Sequence, residues 1–421
     1  MAAKTTVAPS IFTNNAEDNT SASLPTFLSN REWVNLLKGE VKSLKGLTGV
    51  KRLKAIAWNR HIGLTIGDTE KNIYQRFIGL DAACQGMKLH LLLTRDRIGL
   101  KNDGTSVNKK VDIYGLLQST NQKRAEERAI TIPVFDRDGY KEVVQPFWYN
   151  SIKEPKDRLG SKGFELFQEV YAELFPGAAT FKESMLYAWR KTPRYFWELP
   201  DGSQVIIPVE GQLEIYHVMI NGRLEPAFYT PNEGIDLVKS FSEEYGLIFN
   251  KGTRSLCANY THSLDGWIRR EMEMRCRLTK AHALYVLFNS LTSDKTIEDY
   301  PLYQRMYTLF KEQGITSCRW FYLLEKDPVA IPDDLKEYLI NMVADRLPSK
   351  TFDIFCVHDE YNCTVNHLNA LRVQYNEILS HIYASNLLSY INRVFKTRIP
   401  QGRFSLKTFN TIRAHNHLVK L

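Results

Sequence analysis

A helix-rich α+β fold follows from three features of the sequence. Most of the chain carries apolar residues at three- and four-residue spacing, the mark of amphipathic helix. One stretch, 194–230, switches to alternation and contains the turn dipeptides Asp201-Gly202 and Asn221-Gly222. Two short apolar runs, 74–81 and 351–358, read as buried strands, and an aspartate marks the end of each.

Taken in order, residues 1–28 form a small, polar stretch without periodicity and are expected to be a disordered arm. The arm lacks Arg and carries Glu17 and Asp18, unlike a mitochondrial presequence. Residues 31–57 repeat Leu and Val at helical spacing, with Lys and Arg on the other face; that face suits either solvent or phosphate. The run 74–81 is a strand that delivers Asp81 at its end. Helices are predicted over 82–95, 108–128, 163–174 and 181–190, and the β-rich stretch 194–230 follows. Helical patterning returns over 263–350. The strand 351–358 turns at Asp359 into a second strand, residues 366–396 are helical, and the tail from Arg398 to Leu421 is basic.

Composition narrows the function classes. The chain has 421 residues, 43% of them hydrophobic, so it can bury a large core. Lys and Arg number 55 against 47 Asp and Glu, a net charge of +8 that suits a polyanionic partner. No run of 18 apolar residues predicts a membrane span. Six cysteines without a CxxC pair or a secretory signal point to a reducing compartment and free thiols. Cys356, His358 and Cys363 match no common zinc spacing. There is no Walker loop, dinucleotide fingerprint or nucleophile elbow.

Two constellations carry chemistry. Asp81 and Asp359 each end an apolar strand, where a bare charge is costly unless it is paired or bound to metal. On neighbouring strands they would hold two Mg²⁺ ions, the arrangement that clamps both oxygens of a phosphoryl transfer; singly, each also fits a turn or cap residue. The second constellation is the segment 136–150. Arg137 and Lys141 are four apart and share a helix face, with Tyr149 two turns further on and Asp136 as N-cap. Such a face can grip a triphosphate and stack on its base; the same spacing also describes an ordinary amphipathic helix. Gly139 and Pro146 oppose a straight helix, and a kink is expected near Pro146.

In chain order the motifs resemble those of the single-subunit, phage-type RNA polymerases, a group that includes the mitochondrial enzyme. Asp81, Cys84 and Gly86 resemble the family's motif A, and Asp112-Ile113-Tyr114-Gly115 stands where the family has a DIYG sequence. Arg137, Lys141 and Tyr149 match motif B, with Asn150 in place of its final Gly. Trp197 and Pro200-Asp201-Gly202 resemble the approach to the family's promoter-reading hairpin. Asn259, His262, Ser263 and Asp265 match its N-F-x-H-S-x-D pattern, and His358-Asp359 its motif C.

The resemblance spans roughly residues 70–380. It implies a right-hand polymerase: palm at 29–81 and 256–421, fingers at 82–255, and a helical insertion at about 270–350. It implies Asp81 and Asp359 as Mg²⁺ ligands, and Arg137 and Lys141 as NTP phosphate grips, with Lys141 also a proton donor to the leaving pyrophosphate. Tyr149 and His262 would sense the ribose and the nucleotide pair. Tyr114, Asp265 and His358 complete the family motifs. The partners implied are a DNA template, NTPs and an RNA product.

The departures are as informative. No T/D-x-x-G-R motif occurs, only about 80 residues precede motif A, and 95 residues separate His262 from His358. The chain therefore resembles the larger, carboxyl-terminal subunit of a split lytic-phage enzyme, without thumb or amino-terminal domain. A smaller subunit would supply the missing half, and the implied location is the cytoplasm of an infected bacterial host. Family A DNA polymerases, the rival resemblance, place a Glu at the position of Gly86 and a Phe at that of Gln145. Gly86 leaves room for a ribose 2′-OH, and Tyr149 offers it a hydroxyl. The non-enzyme alternative is a degenerate module that only binds nucleic acid, which would be expected to lack a metal carboxylate.

Overall fold

The computed structural model describes residues 28–82, 84–107, 111–188, 194–208, 212–213, 215–220, 223–228, 247–248, 252–343, 346–357, 359–414 and 417–420. The arm expected at 1–28 lies outside them except for Leu28, whose backbone is bonded on both sides to the Asn369 amide. The amino-terminal region runs α1 (Asn30–Gly39), α2 (Gly49–Glu70), β1 (Phe77–Ala82), α3 (Gln85–Thr94), α4 (Arg97–Asn102) and α5 (Ile113–Glu127). Next come α6 (Arg137–Trp148), α7 (Lys153–Leu174) and α8 (Pro176–Tyr187). Short strands follow: β2 (Arg194–Glu198), β3 (Gln204–Pro208), β4 (Gln212–Leu213), β5 (Ile215–Ile220), β6 (Arg223–Phe228) and β7 (Leu247–Ile248). The helices α9 (Gly252–Cys276), α10 (Lys280–Leu291), α11 (Pro301–Gln313), α12 (Arg319–Lys326) and α13 (Asp333–Val343) lead to β8 (Phe355–Val357) and β9 (Glu360–Thr364). The chain closes with α14 (Leu368–Ala384), α15 (Leu387–Val394), α16 (Leu406–Ala414) and β10 (Leu418–Lys420). The described chain is helix-rich with small sheets, as expected.

The single helix expected over 31–57 is two. A Ser29–Glu32 capping box starts α1, and the chain then turns through Gly46 into α2, whose first residue is Gly49, both glycines in the left-handed region (φ 76° and 52°). α2 packs on α1 and leaves Val50 and Leu53 about two-thirds exposed, at 66% and 67%.

One antiparallel sheet, ordered β10-β1-β9-β8, lies against the helical body. β1 alternates as a half-buried strand should: Ile78, Leu80 and Ala82 face the core, Gly79 and Asp81 face outward. Behind it α3 is buried over its whole length, and α14 over most of its own, so these two helices form the centre of the core. β10 lies in the segment read only as a basic tail; three residues are too few to show a period, and pairing along β1 makes it a strand. β8 is shorter than the expected 351–358, because only Phe355, Cys356 and Val357 find ladder partners on β9.

The β-rich stretch forms two separate hairpins, β2–β3 and β5–β6. Asp201-Gly202 makes the first turn, with Gly202 at φ 75°. The Asn221-Gly222 turn lies outside the described residues, though Ile220 pairs with Arg223 across it. Buried Trp197 ties β2 to α9 by donating from Nε1 to Ser263 Oγ at 3.0 Å. α9 starts at Gly252, so the boundary expected between 255 and 256 falls inside a helix. All six cysteines carry free thiols. No helix among the described residues is long and apolar enough to cross a membrane.

A buried ion pair fastens α9 to the start of α12. Arg275 Nε lies 2.8 Å from Glu271 Oε1, both side chains are almost fully buried, and Glu271 also accepts from Ser317 Oγ and the Cys318 amide. Glu271→Ala strands the Arg275 charge and is expected to cost about 3–5 kcal/mol, measured by urea unfolding. The double replacement of both residues by Met is expected to cost less than that single change.

Candidate functional site

Strand pairing creates the site. β1 and β9 run antiparallel with Asp81 opposite Glu360, and the Ala82 amide donates to the Asp359 carbonyl at 3.1 Å. Asp359, in the turn just before β9, therefore stands beside the end of β1. Tyr375, from α14, marks the convergence of charge: burial first, then Tyr361, Asp265, Asp359 and Asp81, push its hydroxyl well above the ordinary phenol range. Glu360 adds a third carboxylate to the outward face, packed so close over Gly79 that a methyl group there would collide with it.

Among the described residues no cluster of three or more metal-binding side chains is present. Two aspartates at adjacent strand ends still suit Mg²⁺, which prefers hard oxygen donors and commonly takes one or two carboxylates, completing its shell with water and substrate phosphate.

A ring of side chains faces the aspartates. Between β1 and α3 the chain turns through Cys84, in the left-handed region at φ 54°, which puts Gln85 and Gly86 at the first turn of α3. A Cβ at Gly86 would lie 2.9 Å from Tyr149 Oη, so glycine lets the tyrosine lie flat against this turn. Tyr149 meets His262 of α9 with ring centroids 4.8 Å apart. Burial, then the charges of Asp265 and Asp359, push the Tyr149 hydroxyl up to about 12, so it stays protonated. Partial desolvation holds the His262 imidazole below its ordinary value.

Sequence reasoning missed Gln85 and Tyr375. Gln85 is buried; its Nε2 donates to Asp265 Oδ1, and its Oε1 accepts from Tyr375 Oη at 2.7 Å. No local signal sets it apart, because α3 carries other buried polar residues, Lys88, His90 and Thr94. Burial, then the neighbouring Asp359 carboxylate, push Asp265 up to about 7 from its ordinary 3.8.

The phosphate-grip residues form a second group. Asp136 caps α6 by accepting from the Gly139 amide at 2.7 Å, and a Cβ at 139 would sit 2.9 Å from the same oxygen, so Gly139 serves the cap. α6 runs to Trp148 with Pro146, where a kink is expected, in its last turn. Tyr149 is not on the helix but at its C-cap, and Asn150 follows at φ 67°, a conformation that glycine takes freely and asparagine tolerates.

Arg137 is exposed and pairs through Nε with Asp112 Oδ2 at 2.9 Å, its guanidinium 5.3 Å from the Tyr114 ring centroid. An exposed pair of this kind is weak and leaves the arginine available to a stronger anion. Tyr114 stacks on Trp148 at 5.5 Å and shares a hydrogen bond with Cys84, which links this group to the start of α3. Lys141, one turn along α6 from Arg137, is half-buried and has no carboxylate partner among the described residues. His358 lies outside the described residues.

The chain matches no protein-family model and no curated protein.

The raised Asp265 sets a pH dependence. A carboxyl titrating near 7 in the fold and near 3.8 when unfolded favours the folded state fully below about pH 3.8, and that advantage is lost as pH rises through about 7. In Mg²⁺-free buffer Asp265→Asn is therefore expected to gain about 1–2 kcal/mol over the parent at pH 8, after discounting for its partial exposure, with the gain shrinking toward pH 4. Denaturant titrations across that range check this.

Proposed function

We propose that this chain is the catalytic subunit of a DNA-directed RNA polymerase. It would extend an RNA 3′-OH with NTPs on a DNA template, working with a smaller second subunit. The observation that carries this reading is the β1–β9 register, which brings Asp359 beside the end of β1 that bears Asp81, with Tyr149 within reach of the Asp359 charge and in contact with Gly86 and His262. Paired Mg²⁺ ions held by the two aspartates would supply the charge stabilisation that phosphoryl transfer needs.

The remaining steps belong to the protein and its substrates. The RNA 3′-OH gives its proton to water, and its oxygen forms a bond to the α-phosphorus as the bond to the bridging oxygen of the pyrophosphate breaks. Arg137 leaves Asp112 to hold the triphosphate. Lys141, a cation without a carboxylate partner among the described residues, protonates the leaving pyrophosphate. Tyr149 keeps its proton and can bond a ribose 2′-OH, while Gly86 presents no side chain against it. A Glu at position 86, as in family A DNA polymerases, would run into the Tyr149 hydroxyl, and this favours RNA over DNA synthesis. The net charge of +8 suits a nucleic-acid template, and binding should weaken steeply with salt. The bare Val50 and Leu53 on α2 favour a second polypeptide over a chain that acts alone.

The test is a primer-extension assay with the chain and its partner subunit, Mg²⁺, and either rNTPs or dNTPs. RNA product is expected with rNTPs. Product with dNTPs alone would overturn the RNA assignment, and no product with either would favour a binding module. Asp81→Ala and Asp359→Ala are each expected to abolish synthesis while sparing template binding in a filter assay. Lys141→Ala is expected to slow single-turnover incorporation by about 10²–10⁴-fold, the usual scale for loss of a general acid.

A further inference from the structure

We infer that Gln85 is a specificity-determining positioning residue: it closes a ring of contacts that sets the width of the sugar-binding gap. This rests on the polymerase reading above and adds to it Gln85, the residue between Cys84 and Gly86 that the resemblance left without a role.

The geometry is a triangle of three chain segments. At the first corner the head of α3 meets the end of α6, where the Gly86 Cα faces Tyr149 Oη and an added Cβ would come within 2.9 Å. At the second corner the end of α6 meets α9, with the Tyr149 and His262 rings 4.8 Å apart. The third corner brings α9 back to α3, because Asp265 lies one turn beyond His262 and accepts from Gln85 Nε2. The first two corners are packing contacts that can slide. The third is a directional hydrogen bond, and Gln85 is itself fixed from behind by the Tyr375 hydroxyl at 2.7 Å.

Gln85 is 4% exposed, so both ends of its amide are satisfied inside the protein rather than by water. Without the amide, the directional contact left between α3 and α9 is that of His90 Nε2 with Thr261 Oγ1 at 2.9 Å, further along α3, so the head of α3 loses its own hold on α9. His262 and Tyr149 can then move away from Gly86 together, widening the gap. A wider gap holds a ribose less firmly and costs a deoxyribose nothing, since the deoxy sugar has no hydroxyl to be positioned.

The test compares Gln85→Leu, Gln85→Glu and the double variant Gln85→Glu/Asp265→Asn with the parent. Gln85→Leu keeps the volume and removes both hydrogen bonds. Assayed at pH 8, above the titration of Asp265, Gln85→Glu sets two carboxylates against each other. The double variant restores a donor–acceptor pair with the roles exchanged. Both single variants are expected to lower the ratio of kcat/KM for rNTP over dNTP by about tenfold, mainly through a higher KM for rNTP, and the double variant to recover most of it.

A second readout needs no activity. The His262 imidazole, followed by NMR of ¹³C-labelled histidine, is expected to titrate closer to its ordinary 6.5 in Gln85→Leu than in the parent, because the opened ring admits water. An unchanged ratio in Gln85→Leu, an equal loss for both sugars, or a double variant no better than Gln85→Glu would overturn the inference. If the parent makes no RNA, the polymerase reading falls, and the His262 titration alone decides whether Gln85 holds the ring closed; an unmoved titration would end the idea.

Discussion

The pairing of β1 with β9 is the constraint on which the site depends. Asp81 and Asp359 lie far apart in the chain, and neither has a reason to meet the other except that two short strands share a ladder. The register is held from within. Ile78, Leu80 and Ala82 on β1, with Tyr361 and Cys363 on β9, point into the core, so a slip of one residue would turn these apolar side chains to solvent and the outward carboxylates inward. The inner face of the sheet thus keeps the outer face in order.

Around that pair the protein accepts an electrostatic cost and distributes it. Three aspartates, Asp81, Asp265 and Asp359, all act on the Tyr375 hydroxyl. Asp265 relieves part of the repulsion by holding its proton up to about pH 7 while still accepting from Gln85. The tyrosines of this region, Tyr149 and Tyr375, stay protonated, and Tyr375 donates to Gln85. Cations are kept at a distance on α6, where Arg137 rests against Asp112 at the surface.

Much of this could be read from the sequence, because the signals were local. The strand ending in Asp81, the turn at Asp359, the Asp136 cap and the Asp201-Gly202 turn each depend on a few consecutive residues, and the structure places them accordingly. What stayed hidden depends on contact between distant segments. β10 is a strand only because β1 offers it an edge. Gln85 looks like any polar residue until Asp265 and Tyr375 are brought to it. The Arg137–Asp112 pair joins two segments with no shared pattern. Tyr149 has helical spacing from Lys141, yet lies just beyond the helix, because Asn150 turns the chain in the left-handed region.

Metal-directed cleavage measures the convergence of the two aspartates most directly. Fe²⁺ taken up at the proposed Mg²⁺ site reduces added hydrogen peroxide to hydroxyl radicals, which cut the backbone only within a short radius of the ion. Cuts near residue 81 and near residue 359 in the same reaction, both suppressed by excess Mg²⁺ and both lost when either aspartate is replaced by alanine, are the expected result. Cleavage at one of these positions alone, or at neither, would contradict a shared metal centre.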